Sequence, residues 1–176
     1  KTFSSLRPNS SAGHDGLHSN IFRRTAHVIS QAFHTLTKLL WVAPALPPAW
    51  NVGMLCPLWK KKKPKSLPSS YRPVVLQCIF AKCFSRFILV TLEKVVGSQV
   101  EPEQICYRPG RSAMEVILTI FEVARRRAKR GWSTRALTAD IAGAFDQVQP
   151  AILMAALLMV FKTPLLLIHH IDLIYS

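Results

Sequence analysis

From Leu17 onward the apolar residues fall at Ile21, Phe22, Val28, Ile29, Ala32, Phe33, Leu36, Leu39 and Leu40. Steps of three and four keep them on one face, which predicts a single long amphipathic helix. Asp15 or Ser19 is positioned as its N-cap, after the turn chemistry of "PNSSAGHDGLHSN". "APALPPAW" then breaks the chain. "NVGMLCPLW" and "YRPVVL" read as two strands, and Pro57 restricts the first to an edge. "KKKKPKSLPSS" between them makes the pair a hairpin with a long cationic tip.

The helical period returns over residues 77–96, with Ile79, Phe80, Cys83, Phe84, Phe87 and Ile88 in phase and Gly97 as the stop. Ser112 and Glu115 form a capping-box pair that opens a third helix. Its predicted core stripe is Ile117, Ile120, Phe121 and Ala124, and Gly131 ends it. "TRALTADI" is apolar enough for a central strand, with Asp140 near its end. The chain from Pro150 reads as helix. "AILMAALLMVFKTPLLLI" contains Lys162 and Pro164, so two buried helices broken at Thr163 and Pro164 are expected rather than a membrane span. The fold class is α+β, with helices around a small antiparallel sheet.

Charge changes this picture. The 176-residue chain carries a net charge of +14, and the charge is uneven. Through Arg130 there are 21 Lys and Arg against 6 Asp and Glu; beyond it, Arg135 and Lys162 face Asp140, Asp146 and Asp172. The division into a basic region, residues 1–130, and a near-neutral one, 131–176, follows from this. A surface so basic attracts phosphate backbones through counterion release; a merely solvated basic face is the plainer alternative. Cys56, Cys78, Cys83 and Cys106 form no C-x-x-C pair and sit among apolar neighbours, which predicts buried, reduced thiols in an intracellular protein. His14, His18, His27 and His34 have no partner at a zinc spacing, and His169 and His170 read as a helix-surface pair. The opening without Met and the end at "DLIYS" read as a segment of a longer protein.

Several residues carry candidate chemistry. A carboxylate at a strand end, as Asp140 is expected to be, suits Mg²⁺, a hard ion held by carboxylates and substrate phosphates. Capping the next turn is its alternative role. Phe145, five residues on, is either a core ring or a bulk that refuses a sugar 2′-hydroxyl. Asp146 is either a second carboxylate within reach of the metal or, the plainer reading, a cap before the Pro150 helix. Lys60, Lys61, Lys62, Lys63 and Lys65, with Arg72 on the returning strand, form a plausible clamp for a triphosphate. General backbone binding and a nuclear-import patch use the same residues. Arg108 and Arg111 flank a Pro-Gly turn just before a helix, a combination that favours phosphate.

In order and spacing, "WKKKKPKSLPSSYRPVVL", "AKCFSRFI", "EQICYRPGRSAMEVI" and "TADIAGAFDQV" resemble the reverse transcriptases of non-LTR (LINE-type) retrotransposons. "SSAGHDGLHSNIF" and "LPPAWNVGMLCPLWKK" are similar to that family's upstream blocks, and group II intron maturases are near neighbours. The resemblance implies a right-hand fold, of which residues 1–130 are fingers and 131–176 the start of the palm. It implies an RNA template, a DNA primer, deoxynucleoside triphosphates and Mg²⁺ (or Mn²⁺), with no membrane partner. Asp140 then matches the first catalytic carboxylate, a ligand of both metals, and Phe145 the sugar gate. Arg72 matches the arginine that contacts the incoming triphosphate, and the charge reading adds Lys60 and Lys61 to it. Gln104 and Arg111 match the block that touches the template, Lys82 matches the lysine in the helix after the R-P block, and the charge reading adds Lys62, Lys63 and Arg108 as nucleic-acid contacts.

Two departures stand out. Cys106 and Tyr107 occupy the place of the family's Gly-Phe, and neither the Tyr/Phe-x-Asp-Asp hairpin nor the preceding Gly-rich block is present. The 176 residues alone are therefore not expected to polymerise DNA. The alternative is a non-catalytic nucleic-acid-binding module keeping the fingers surface; a membrane-associated basic protein is a third reading resting only on the C-terminal apolar run. Nuclear localisation is expected.

Overall fold

The computed structural model describes residues 3–43 and 45–175. Six α-helices, two single-turn 3-10 helices (Pro48–Trp50 and Pro68–Ser70) and one two-stranded ribbon are present among them: α1 (Ser19–Arg24), α2 (Ala26–Val42), β1 (Gly53–Trp59), β2 (Tyr71–Gln77), α3 (Ile79–Val96), α4 (Ala113–Ala128), α5 (Pro150–Met159) and α6 (Leu165–Tyr175). This mixture of helices with a small antiparallel sheet is the expected class.

The predicted N-terminal helix is real but broken. Thr25 leaves the helical region at φ −99°, ψ 12°, and its hydroxyl and backbone N–H both donate to the Ile21 carbonyl, at 2.8 and 3.0 Å. That hydroxyl competes with the helical ladder, so α1 ends there and α2 begins. Neither predicted cap performs that role. His18 is the N-cap residue, without a side-chain bond. Asp15 instead accepts from the Leu17 N–H at 3.2 Å, and buried Ser19 ties the preceding loop by donating to the Arg7 carbonyl at 2.8 Å.

α3 is the central element. Ile79, Ala81, Cys83, Phe84 and Ile88 are buried on it, and the Cys78 sulfur caps it by accepting from the Ala81 N–H at 3.5 Å. Aromatic rings fill the space between α3 and the N-terminal helices. Phe3 stacks on Phe22 at 5.8 Å and meets Phe33 edge-on at 5.0 Å, and Trp50 lies 5.6 Å from Phe84. Burying a ring such as Phe84 stabilises the fold by about 2–3 kcal/mol. The N-terminal loop crosses the β2–α3 junction closely. A Cβ on Gly13 would lie 2.6 Å from the Cys78 nitrogen, so only glycine fits there.

The break at Thr163 and Pro164 separates α5 from α6 as predicted, but α5 is not the buried helix expected: it buries Leu157 and leaves Ile152, Leu158 and Met159 exposed. No described helix is long and apolar enough to cross a membrane. α6 buries Leu167, His170 and Ile171 against the core. His170 thus corrects the expectation of a surface pair: it is 1% exposed, while His169 is exposed. Its Nδ1 lies 2.6 Å from the Leu166 carbonyl oxygen and its Nε2 3.0 Å from that of Leu40, with the ring stacked on Trp41 at 4.4 Å. Leu40 is in the last turn of α2, whose carbonyls lack helical partners, so His170 fastens α6 to the end of α2. The cysteines divide: Cys78 and Cys83 are buried as expected, Cys56 is half-buried, and Cys106 is exposed.

The hairpin pairs Gly53 with Gln77 through Trp59 with Tyr71, placing Pro57 opposite Pro73. Each strand of the ribbon is an edge, as Pro57 required. Two further expectations fail. "TRALTADI" forms no strand; residues 132–141 are irregular and exposed. A strand is stable only with a ladder partner, and no described segment supplies one. α4 has its capping box as predicted, but its stripe is not core: α4 buries no residue, and Ile117, Ile120 and Phe121 are exposed. Amphipathic period selects a helix face; it does not supply something to cover it.

Candidate nucleic-acid and nucleotide site

The lysine-rich tip is a folded turn. The ladder continues one step past the ribbon, with the Lys60 N–H donating to the Ser70 carbonyl at 2.7 Å. The Lys63 N–H closes a turn onto the Lys60 carbonyl at 3.2 Å, and Lys62 takes a left-handed backbone at φ +74°. Two aromatic side chains brace this turn. Trp59 Nε1 donates to the Lys63 carbonyl at 3.0 Å, and the Tyr71 hydroxyl donates to that of Lys65 at 3.0 Å. The Lys65 ammonium sits 4.9 Å above the Trp59 ring. Lys60 is half-buried and its ammonium donates to the Ser69 carbonyl at 3.0 Å, so it is part of the brace. Lys61, Lys62 and Lys63 are exposed, and Arg72 is exposed on β2 opposite Leu58. The tip therefore offers three ammonium groups on an ordered turn, a fixed array suited to phosphate oxygens. Charge alone flagged this loop; the bracing role of Trp59 and Tyr71 was missed, although an aromatic at each end of the lysine run was its visible signal.

Gln104, Arg108 and Arg111 come together around a cleft of about 510 Å³ between the second half of α3 and the loop before α4. Arg108 is half-buried. Its guanidinium donates to the carbonyls of Glu101 (3.2 Å), Gly97 (3.4 Å) and Val100 (3.5 Å), closing the end of α3. Gln104 Nε2 donates to the Cys106 carbonyl at 3.5 Å. Arg111 is exposed and pairs with Glu115 at 2.9 Å; that hydrogen bond holds the Glu115 carboxyl below the usual carboxylate range. Tyr107 at the cleft mouth is 87% exposed with φ +61°, so the left-handed position falls on the aromatic and not on Cys106. Lys82 lies apart from both groups: half-buried on α3, it donates to the Ser11 carbonyl at 3.4 Å.

Asp140 lies in the exposed 132–141 segment, at no strand end. The chain then turns at Gly143, at φ +61°, where the Asp146 N–H donates to the Gly143 carbonyl at 2.8 Å. Asp146 is not a cap for α5; Gln149 holds that position, without a side-chain bond. Phe145 is not a core ring. It is 77% exposed and meets the Tyr107 ring edge-on at 6.2 Å and 80°. That contact joins the Asp140 segment to the cleft loop. The donor chemistry of Asp140 suits Mg²⁺ (or Mn²⁺), but no three His, Cys, Asp or Glu side chains gather into a metal-holding group among the described residues. One carboxylate cannot by itself position two ions.

Comparison with known proteins follows this geometry. Residues 60–172 match the family described as reverse transcriptase (RNA-dependent DNA polymerase). The chain is also 27% identical over 149 residues to the transposon TX1 uncharacterized 149 kDa protein of Xenopus laevis. That alignment covers 85% of this chain and 11% of the relative.

Proposed function

The chain belongs to the reverse transcriptase family, and from that premise we propose that it supplies the fingers and the first part of the palm of an RNA-directed DNA polymerase of the non-LTR retrotransposon type. The carrying observation is the extent of the family match. It runs from Lys60 to Asp172 and so contains the braced lysine tip, Arg72, Gln104, Arg111, Asp140 and Phe145 in one stretch. A relative encoded by a transposon supports the retroelement origin.

In this reading Lys61, Lys62, Lys63 and Arg72 hold anionic phosphates of the incoming deoxynucleotide and its template, with Lys60 keeping the tip in shape. Gln104 and Arg111 touch the template, and Arg108 acts indirectly by fixing their loop. Phe145 stands beside the sugar and excludes a 2′-hydroxyl by bulk. Asp140 would hold Mg²⁺ (or Mn²⁺), which when bound neutralises charge on the attacking and leaving oxygens. Holding two ions in this way requires at least one further carboxylate beside Asp140.

The test uses the full natural polypeptide that carries residues 1–176, assayed for primer extension on an RNA template with deoxynucleoside triphosphates and Mg²⁺. Asp140→Asn is expected to abolish extension and leave RNA affinity within about twofold. Loss of both together would make Asp140 structural, and undiminished extension would remove it from the chemistry. Wild-type polypeptide that binds RNA without extending a primer would favour the non-catalytic binding module.

A further inference from the structure

The end of α4 carries a second cluster, which includes neither the lysine tip nor Asp140. Arg125, Arg126, Arg127, Lys129 and Arg130 fall within six residues, followed by Gly131 and Trp132. Cations in a last helical turn suit the helix dipole, but one or two suffice for that. Glu122 neutralises part of the set, bonding Arg125 at 2.7 Å through two hydrogen bonds and Arg126 at 2.7 Å through one. Those bonds, Arg125 first, pull the Glu122 carboxyl down to about 2, so it stays ionised with its two arginines. Arg127, Lys129 and Arg130 make no ion pair among the described residues.

Trp132 is built into the remaining set. Gly131, at φ +72°, turns the chain back, and the Trp132 N–H donates to the Arg127 carbonyl at 3.0 Å. The Arg127 and Arg130 guanidinium carbons lie 5.5 and 5.6 Å from the indole centroid, and Arg127 Nη2 donates to the Ser133 carbonyl at 3.0 Å. The indole nevertheless remains 52% exposed. A cluster serving only solvation needs no aromatic fixed beside two guanidinium groups. Planar cations beside a half-open indole present what a single-stranded polynucleotide recognises: flat surfaces for bases and charge for the phosphates between them. We propose that the end of α4, centred on Arg127, Arg130 and Trp132, is a binding site for single-stranded nucleic acid separate from the lysine tip. It requires neither Asp140 nor a metal, and it stands whether or not the polypeptide polymerises DNA.

The experiment titrates the 176-residue chain with a 12-nucleotide oligouridylate, following tryptophan fluorescence and affinity over a salt series. Trp132→Phe is expected to remove most of the quenching, and Trp132→Ala to weaken binding by about 5-fold or more, as expected for loss of one stacked base. Arg127→Gln with Arg130→Gln is expected to flatten the slope of log K against log salt by about 1.4, two phosphate contacts' worth. The chain with Lys61, Lys62 and Lys63 changed to Ala keeps the Trp132 quenching, which separates this site from the tip. Because Arg127, Arg130, Trp132, Lys61, Lys62 and Lys63 are all exposed, these variants leave the core intact, and unchanged far-UV circular dichroism verifies it. Quenching unaltered in Trp132→Phe, or affinity unaltered in Trp132→Ala, would overturn the proposal. So would equal Trp132 quenching by inorganic polyphosphate or by anionic lipid vesicles, neither of which carries bases.

Discussion

Tyr107 and Phe145 meet edge to face with ring centroids 6.2 Å apart, although 38 positions separate them and both rings are largely exposed. Such a pair contributes about 0.5–1.5 kcal/mol beyond area burial. If Phe145 is the sugar gate, Tyr107 sets its position. In the full natural polypeptide, Phe145→Ala is expected to raise ribonucleotide incorporation strongly, and Tyr107→Ala in the same direction by no more than about tenfold. The double variant should add little to Phe145→Ala alone. Competition between ribo- and deoxynucleotides measures this, and a fully additive double variant would show that the two rings act separately.

The lysine tip makes a quantitative prediction because its four consecutive lysines are not equivalent. Lys61, Lys62 and Lys63 are exposed, whereas Lys60 is engaged by Ser69. Changing the three exposed lysines to Ala should reduce the salt slope of single-strand binding by about 2. Lys60→Ala should instead leave the slope nearly unchanged and loosen the turn, read as faster hydrogen exchange at residues 60–70. An equal slope change from all four positions would contradict this division.

His170 predicts a stability effect far from any binding surface. Both ring nitrogens face carbonyl oxygens, those of Leu166 and Leu40. His170→Leu leaves the Leu40 carbonyl buried without its partner and opens the Trp41 stack, at a cost of about 2–4 kcal/mol. His170→Gln, which can still donate to one carbonyl, should cost visibly less. Urea denaturation of the two variants tests the ordering, and equal losses would assign the effect to packing alone.

The Cys83 thiol supplies a pH dependence. Burial is the main cause that pushes it from 9.0 up to about 11, against smaller opposing contributions from Arg86 and Lys82. The native state thus keeps this proton where the unfolded chain releases it. The stability it contributes is complete below pH 9 and is lost as pH rises from 9 to about 11, by about 1.4 kcal/mol per pH unit at most. Denaturation midpoints across that window should fall, and Cys83→Ala should flatten the fall. Alkylation gives a parallel test: Cys106 is expected to react in the native state, with Cys78 and Cys83 reacting only on unfolding.

Local chemistry made much of this fold legible. Prolines and the lysine run located the hairpin, Ser112 and Glu115 located the start of α4, and Thr163 with Pro164 located the α5–α6 break. These signals act within a few residues, so they survive whatever the rest of the chain does. The larger failures involve a distant partner. "TRALTADI" has the composition of a strand but no described ladder to join, and the α4 stripe has no described surface to meet. His170 looked solvent-facing because nothing near it in sequence announces Leu40, 130 positions away. At the candidate site, charge pointed to the tip and the arginine loop, but could not tell a free lysine from Lys60, or an available arginine from Arg108 on its three carbonyls.

The pairing of Pro57 with Pro73 bears on how the protein behaves at high concentration. The Lys60 N–H bond to Ser70 fixes the ladder parity, and three residues along, Pro57 and Pro73 form a pair whose N–H positions face outward. Both rims of the ribbon therefore lack a donor at mid-strand. A neighbouring chain trying to zip onto either rim meets a gap there, so this exposed, apolar arm is protected against fibrillar stacking by two imino acids.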